Sequence, residues 1–272
     1  MTKRVVLIGH PVAHSLSGAM QQAAFDDQGI DATYELWDRP PIGLADAVEE
    51  LRSDDFLGAN VTIPHKLAAL RVATSASPAA RAVGAANTLT FADGEIAAEN
   101  TDAGGLIDAF GRPLAGAAAL VLGAGGAGRA AAWALREAGA RVAVWNRTPE
   151  RARALADELG VAAAEDEAPG SRATGALDVL VNATSVGLEP SVADADALAA
   201  LGLSGADAPP LVVDLVYRGG GEPTPVAAWA LGGGAELVDG LEVLVRQGAR
   251  SFSLWTGLEA PLDAMRAAAR PA

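Results

Sequence analysis

The chain has 272 residues, half of them hydrophobic, a net charge of −14 and no cysteine. That length allows two domains with separate cores; the acidity argues against a nucleic acid or an anionic membrane surface as partner; and the missing thiols exclude disulfides, thiolate nucleophiles and cysteine-based zinc sites. The apolar run Val5-Val6-Leu7-Ile8 before Gly9 is too short for a signal peptide or a spanning helix, so a cytoplasmic protein is expected.

Residues 5–8, 34–37 and 59–63 read as strands, with helical patterns near 17–28 and 43–53 between them. This makes a first α/β unit with largely parallel strands. Residues 87–91 and 95–98 flank Ala92-Asp93-Gly94 and read as a hairpin, because Asp-Gly between extended runs favours a tight turn. Asn100-Thr101-Asp102 offers a helix cap. After a pause at Gly111-Arg112-Pro113, strands at 118–122, 142–145, 179–181 and 211–215 form a second unit. The Ala/Asp-rich stretch 190–210 is expected to cover a short helix. Residues 240–255 and 261–269 are helical by periodicity, with no later strand to pair with.

Three turns carry chemistry. In Gly58-Ala59-Asn60-Val61-Thr62-Ile63-Pro64-His65-Lys66 the proline closes a strand and launches a helix whose first turn holds Lys66. Asn60 and Thr62, two apart, share a strand face. Alone, such a lysine is a surface cation; here two polar side chains accompany it at the mouth of a sheet. The segment Gly9-His10-Pro11-Val12-Ala13-His14-Ser15-Leu16-Ser17 brings the Ser15 and Ser17 hydroxyls to the same end of the sheet, unless Ser17 is spent capping the next helix. His10 and His14 are four apart, but Pro11 breaks any helix between them, and no metal site is expected. The third turn, Gly123-Ala124-Gly125-Gly126-Ala127-Gly128, follows a buried-type strand and opens a helix, the setting in which a GxGxxG sequence binds a dinucleotide. Gly123 permits the turn, Gly125 the approach of a pyrophosphate, and Gly128 close helix–strand packing. The next strand ends in Asn146-Arg147-Thr148, with no acidic group for a ribose 2′-hydroxyl and a guanidinium suited to a 2′-phosphate, so NADP is expected over NAD. Arg151 either adds charge there or is a solvated helix residue. Thr184 and Ser185, in Asn182-Ala183-Thr184-Ser185, either contact the cofactor or cap a turn.

The strings GHPVAHSLS, GANVTIPHK, AVGAANTL, NTDA, the glycine turn with NRT, NATSVGL and DGLEVLVRQ resemble the shikimate dehydrogenase family in order and spacing, over nearly the whole chain. The resemblance implies a two-domain α/β fold. Residues 1–102 and 240–272 would form an N-terminal α/β substrate domain with a mostly parallel sheet, the C-terminal helices returning to it; residues 103–239 would form a Rossmann-type NADP-binding domain. It implies NADPH-dependent, reversible reduction of 3-dehydroshikimate to shikimate, a step toward chorismate and the aromatic amino acids. Ser15 and Ser17 then match the serines that hold the substrate carboxylate, with Tyr217 as a helper. Asn60, Thr62, Asn87 and Gln247 match groups that bond ring hydroxyls, Lys66 and Asp102 the catalytic pair, and Gly240 a backbone contact near the nicotinamide. The chain departs from the family pattern at Gly18, where proline is common, at Gln21 and Gln22, where a His-Asn pair is common, and at Ala103, Glu242 and Val243. A quinate or aminoshikimate dehydrogenase on the same scaffold is the nearest alternative, and a non-catalytic sensor of shikimate or quinate the alternative of another class. Retention of Lys66 and Asp102, with no basic extension, weighs against the sensor. An edge strand or helix of the first domain offers a homodimer contact.

Overall fold

In a computed structural model, the structure describes residues 2–92, 94–164, 177–188, 193–218 and 222–270. The chain divides into two units, Met1–Gly105 with Leu244–Ala272, and Leu106–Val243. Among the described residues no helix is long and apolar enough to cross a membrane.

The first unit runs β1 (Lys3–Gly9), α1 (Ser17–Asp27), β2 (Ala32–Asp38), a 3-10 turn, α2 (Leu44–Glu50), β3 (Phe56–Val61), α3 (Lys66–Val72), β4 (Ser75–Ala76), α4 (Pro78–Val83), β5 (Thr88–Ala92), β6 (Glu95–Glu99) and the start of α5 (Thr101–Phe110). Its six strands are ordered β2-β1-β3-β5-β6-β4. β1 pairs in parallel with β2 and β3, whereas β3–β5 and β5–β6 are antiparallel, so the sheet is mixed. Alternation along β1 explains its covering on both faces. Val6 and Ile8 meet Leu44, Val48 and Ala69 of α2 and α3. Val5 and Leu7 face the opposite way, into a core with Met20 and Phe25 of α1 and Phe252 and Met265 from the end of the chain. The expected hairpin forms with Ala92 opposite Glu95; Asp93 lies outside the described residues.

Within the second unit β7 (Ala118–Leu122), α6 (Gly126–Glu137), β8 (Arg141–Trp145), α7 (Pro149–Leu159), β9 (Ala162–Ala163), β10 (Val179–Asn182), α8 (Asp194–Ala200), β11 (Leu211–Asp214), α9 (Pro225–Gly232) and β12 (Glu236–Asp239) follow in order. The strands lie in the order β12-β11-β10-β7-β8-β9, all parallel. Read from β9, that is the 3-2-1-4-5-6 order of a dinucleotide-binding sheet, with its switch point between β7 and β10. α8 is the short helix expected in 190–210, of which residues 190–192 lie outside the described set. The chain returns to the first unit within α10 (Gly240–Thr256) and ends in α11 (Leu262–Ala269), which packs on α1.

Besides the 3-10 turn, five elements escaped the sequence reading: the helices α4 and α9 and the strands β4, β9 and β12. Both helices carry start signals. Ser77 and Thr224 cap them by accepting from the Ala80 and Ala227 N–H groups at 3.0 Å, each followed by proline at the first helical position. β3 stops at Val61, two residues short of expectation, although the Thr62 N–H still bonds the Ile8 carbonyl at 2.8 Å.

Candidate active site

Lys66 is the first residue of α3, and Asp102 lies in the first turn of α5. The α5 start is set by Asn100, whose Oδ1 accepts from the Ala103 N–H at 3.1 Å, as the cap expectation required. Lys66 Nζ donates to Asp102 Oδ2 at 2.9 Å, and both side chains keep more than a quarter of their surface exposed. The other carboxylate oxygen, Oδ1, accepts from Asn87 Nδ2 at 2.9 Å. Asn87 Nδ2 also lies 3.2 Å from Gln247 Oε1. Gln247 reaches this position because Gly105 lets α5 pass close to α10: a Cβ on Gly105 would stand 2.5 Å from the Gln247 backbone nitrogen. Lys66, Asp102, Asn87 and Gln247 are thus one connected group, drawn from four separate stretches of chain.

The serine turn and the end of β3 are tied together. His10 N–H donates to the Ile63 carbonyl and Arg39 N–H to the Gly9 carbonyl, both at 2.9 Å. His65 is buried, and its Nε2 meets the Arg39 carbonyl at 2.7 Å, directly before Lys66. Leu16, not Ser17, holds the N-cap position of α1, and it makes no side-chain cap bond. The capping role considered for Ser17 is therefore absent, and its hydroxyl, like that of Thr62, makes no hydrogen bond among the described residues. Ser15 Oγ accepts the Ser17 N–H at 3.3 Å. Asn60 behaves differently. Its Oδ1 accepts from the Tyr34 hydroxyl at 2.8 Å and its Nδ2 faces the Asn87 carbonyl, Thr88 Oγ1 and Ser251 Oγ at 3.1 Å each. At 5% exposure it lies behind the polar group, with both ends of its amide engaged. His10 Nδ1 sits 2.5 Å from Asp38 Oδ1, and no cluster of metal-ligating side chains occurs among the described residues.

In the second unit the glycine turn joins β7 to α6 at the switch point. Gly123 has φ +107°, which excludes other residues without strain, and a Cβ there would meet the Ala183 carbonyl oxygen at 2.9 Å. A Cβ on Gly128 would stand 1.9 Å from the Gly123 carbonyl oxygen, so helix and turn touch directly. A Cβ on Gly125 or Gly126 would meet nothing within 4 Å beyond its chain neighbours and its own helix. The first-turn amides of α6, on Gly126, Ala127 and Gly128, have no intrahelical acceptor and sit at the positive end of a twelve-residue helix. A pyrophosphate fits this cradle. Ala124 N–H is already held by Asn146 Oδ1 at 3.1 Å, and Asn146 Nδ2 donates to the Thr148 carbonyl at 3.0 Å, so Asn146 links the turn to the β8 tip. Arg147, Thr148 and Arg151 are exposed there, and the two guanidinium groups make no hydrogen bond or ion pair among the described residues. Arg129 is instead spent on Glu158, whose carboxyl it holds below its usual range.

Thr184 favours the turn reading. Its hydroxyl donates to Asn182 Oδ1 at 2.7 Å and accepts from the Val186 N–H at 3.1 Å, whereas Ser185 is exposed. Asn182 in turn donates to Asp214, a buried carboxylate at the β11 tip that also accepts from Val216 N–H and the Thr224 hydroxyl. Burial pushes the Asp214 carboxyl up, against the pull of those donors. Tyr217 follows β11 and lies against Gly240, where a Cβ would be 3.1 Å from its ring; burial raises its phenol. Sequence reasoning missed the buried hydroxyls of Thr88, Thr101 and Ser251 and the phenol of Tyr34. The available signal was Ser251 standing four residues after Gln247, hence on the same helix face.

A parallel sheet with a glycine turn at its switch point, in a chain that also gathers a lysine–carboxylate pair among amides and hydroxyls, defines a nicotinamide-dependent dehydrogenase. Comparison with known proteins narrows this. Residues 7–89 match the family model of the shikimate dehydrogenase substrate binding domain, residues 107–216 that of shikimate / quinate 5-dehydrogenase, and residues 240–270 that of the shikimate 5'-dehydrogenase C-terminal domain. A shikimate dehydrogenase (NADP(+)) from one strain of Thermus thermophilus is 46% identical over 99% of this chain and 98% of its own. One from Halobacterium salinarum is 42% identical over 97% of each. The crystal structure of shikimate 5-dehydrogenase from a second Thermus thermophilus strain, in complex with NADP(H) and shikimate, superposes with a TM-score of 0.85 at 43% identity, covering 98% of each chain. The chain belongs to the shikimate dehydrogenase family.

Proposed function

We infer that this chain is an NADP-dependent shikimate dehydrogenase, reducing 3-dehydroshikimate reversibly to shikimate. The observation that carries the reading is the Lys66–Asp102 pair at 2.9 Å, extended through Asn87 to Gln247. Lys66 and Asp102 flank the reacting oxygen: the ammonium stabilises the alkoxide that develops on it, and the pair exchanges the proton as one coupled unit. Asn87, Gln247 and Thr62 orient the ring hydroxyls. Ser15 and Ser17 hold the carboxylate, Ser17 with its unspent hydroxyl, and Tyr217 assists. Asn60 acts from behind, through Asn87.

The glycine turn 123–128 takes the pyrophosphate of NADP on the α6 amides, with Asn146, Arg147, Thr148 and Arg151 at the adenosine ribose and Arg147 on the 2′-phosphate. Ser185 and the Gly240 backbone complete the site, and Thr184 shapes its wall. When bound, the reduced nicotinamide supplies the hydride. Residues 1–102 with 240–272 are the substrate domain and 103–239 the cofactor domain in this reading. A cytoplasmic enzyme, and a homodimer built on the open edge of β2, complete it; sedimentation tests the assembly.

The test measures reduced-nicotinamide formation from shikimate or quinate, each with NADP⁺ or NAD⁺, alongside Lys66→Ala. Turnover centred on shikimate with NADP⁺, and a kcat about 10² to 10⁴ lower in Lys66→Ala with a smaller change in KM, is expected. Faster turnover of quinate with NAD⁺ points to the catabolic relative. Shikimate binding without turnover points to a sensor, and an unchanged kcat in Lys66→Ala removes that residue from the chemistry.

A further inference from the structure

We propose that Tyr34 is a positioning residue for the reaction: its phenol anchors the outer end of a buried hydrogen-bond chain that runs through Asn60, the hydroxyls of Thr88 and Ser251, and Asn87, and ends on the Asp102 carboxylate. The proposal rests on the reading of Asp102 as a catalytic group.

Tyr34 lies on β2 in the core between the sheet and the terminal helices, and among the described residues its hydroxyl has one hydrogen-bond partner, Asn60 Oδ1 at 2.8 Å. Burial pushes its phenol up, so the group remains a protonated donor across the working pH range. An amide side chain offers an acceptor at one end and a donor at the other, and only the surrounding network decides which end faces where. With Tyr34 donating to Oδ1 and the Asn87 carbonyl, which can only accept, facing Nδ2, Asn60 keeps its NH₂ toward that carbonyl and the hydroxyls of Thr88 and Ser251. Of those hydroxyls, 2.8 Å apart, Ser251 donates to Thr88, and Thr88 passes its own proton to Asn87 Oδ1 at 3.3 Å. Asn87 Oδ1 also accepts from the Thr101 N–H at 2.7 Å and faces the Thr101 hydroxyl at 3.2 Å. Its NH₂ is thereby left for Asp102 Oδ1 and Gln247 Oε1. Each inner member is at most 5% exposed, so bulk water is a poor substitute for a missing donor.

Removing the phenol oxygen leaves Asn60 Oδ1 without its donor in a site closed to bulk water, while the Asn87 carbonyl, which can only accept, keeps the NH₂ end where it is. The amide then shifts within its cavity and its contacts with Thr88, Ser251 and the Asn87 backbone loosen. Asn87 is seated less firmly and holds the Asp102 carboxylate against Lys66 less well.

The test uses the full chain with saturating NADP⁺ and compares Tyr34→Phe, Thr88→Val, Thr88→Ser, the double variant Tyr34→Phe/Thr88→Val, and Asp102→Asn. Phenylalanine keeps the ring packing and removes one atom. The expected result is a kcat roughly 3- to 30-fold lower in Tyr34→Phe and in Thr88→Val, with the KM for NADP⁺ unchanged and kcat recovered in Thr88→Ser. The double variant should be no worse than the poorer single one, as members of one chain require. A Tyr34→Phe enzyme with wild-type kcat and only a lowered Tm, or losses that multiply in the double variant, overturns the proposal. If Asp102→Asn keeps wild-type kcat, the catalytic reading of Asp102 has failed and the chain ends on a structural carboxylate. A strong loss in Asp102→Asn beside a silent Tyr34→Phe rejects the positioning role alone.

Discussion

Two glycines of the same turn should respond to alanine in opposite ways. A Cβ on Gly128 would lie 1.9 Å from the Gly123 carbonyl oxygen and 2.7 Å from its carbon, both backbone atoms. Reaching the 3.0 Å below which Cβ contacts essentially never occur requires the turn and helix to separate by 1.1 Å. The turn has little freedom to give, since Gly123 is held at φ +107° and Ala124 N–H is bound to Asn146. Overpacking of this kind costs about 1–3 kcal/mol, and a backbone clash belongs at the upper end. Gly128→Ala should therefore lower Tm by roughly 6–12 °C and displace the pyrophosphate cradle. Gly125 has φ −84° and a Cβ there would meet nothing within 4 Å, so alanine leaves the fold intact. Its methyl would occupy the face that the pyrophosphate approaches. Gly125→Ala should keep Tm and raise the KM for NADP⁺ roughly tenfold or more, the KM for shikimate being unaffected. Thermal melts and steady-state kinetics at saturating shikimate separate the two. A wild-type Tm in Gly128→Ala would falsify the close-packing argument, and a wild-type KM for NADP⁺ in Gly125→Ala would remove the pyrophosphate from this turn.

Arg147→Ala removes a charge-assisted contact to the 2′-phosphate and should lower kcat/KM with NADP⁺ by roughly 10- to 150-fold while sparing NAD⁺; an unchanged NADP⁺/NAD⁺ ratio would show that the guanidinium points elsewhere. Gly18, the second residue of α1, has open space beyond Leu36 at 3.6 Å, so Gly18→Ala should stabilise the chain by about 0.5–1 kcal/mol through helix propensity. A lower melting temperature would contradict this. Because burial raises the Asp214 carboxyl above 3.8, the folded chain binds that proton more tightly than the unfolded one. The resulting stability is fully present below pH 3.8 and is lost as pH rises through the raised value. Asp214→Asn should flatten that stretch of the stability–pH curve in denaturant titrations; matching slopes in the two proteins would refute it.

Local chemistry settled much of this protein from the sequence. Proline at 64 ended the third strand region and placed Lys66 at a helix start, and the glycine turn announced itself because a strand, a sharp turn and a helix must occur in that order to seat a pyrophosphate. Arg147 at the β8 tip, without an acidic neighbour, spoke for NADP for the same local reason. Only the tertiary structure decided how side chains are spent. Asn60 and Asn87 are the same residue type in similar polar strings, yet one is buried behind the site with every group engaged, while the other turns its NH₂ to Asp102. Ser17 looks like a helix cap until the backbone shows Leu16 in that place. The mixed pairing of the first sheet, the placement of Ser251 beside Thr88 and the phenol of Tyr34 on Asn60 join residues 26 to 191 positions apart. Hydrogen bonds over such separations depend on strand order and helix packing, which periodicity and spacing along a single chain do not encode.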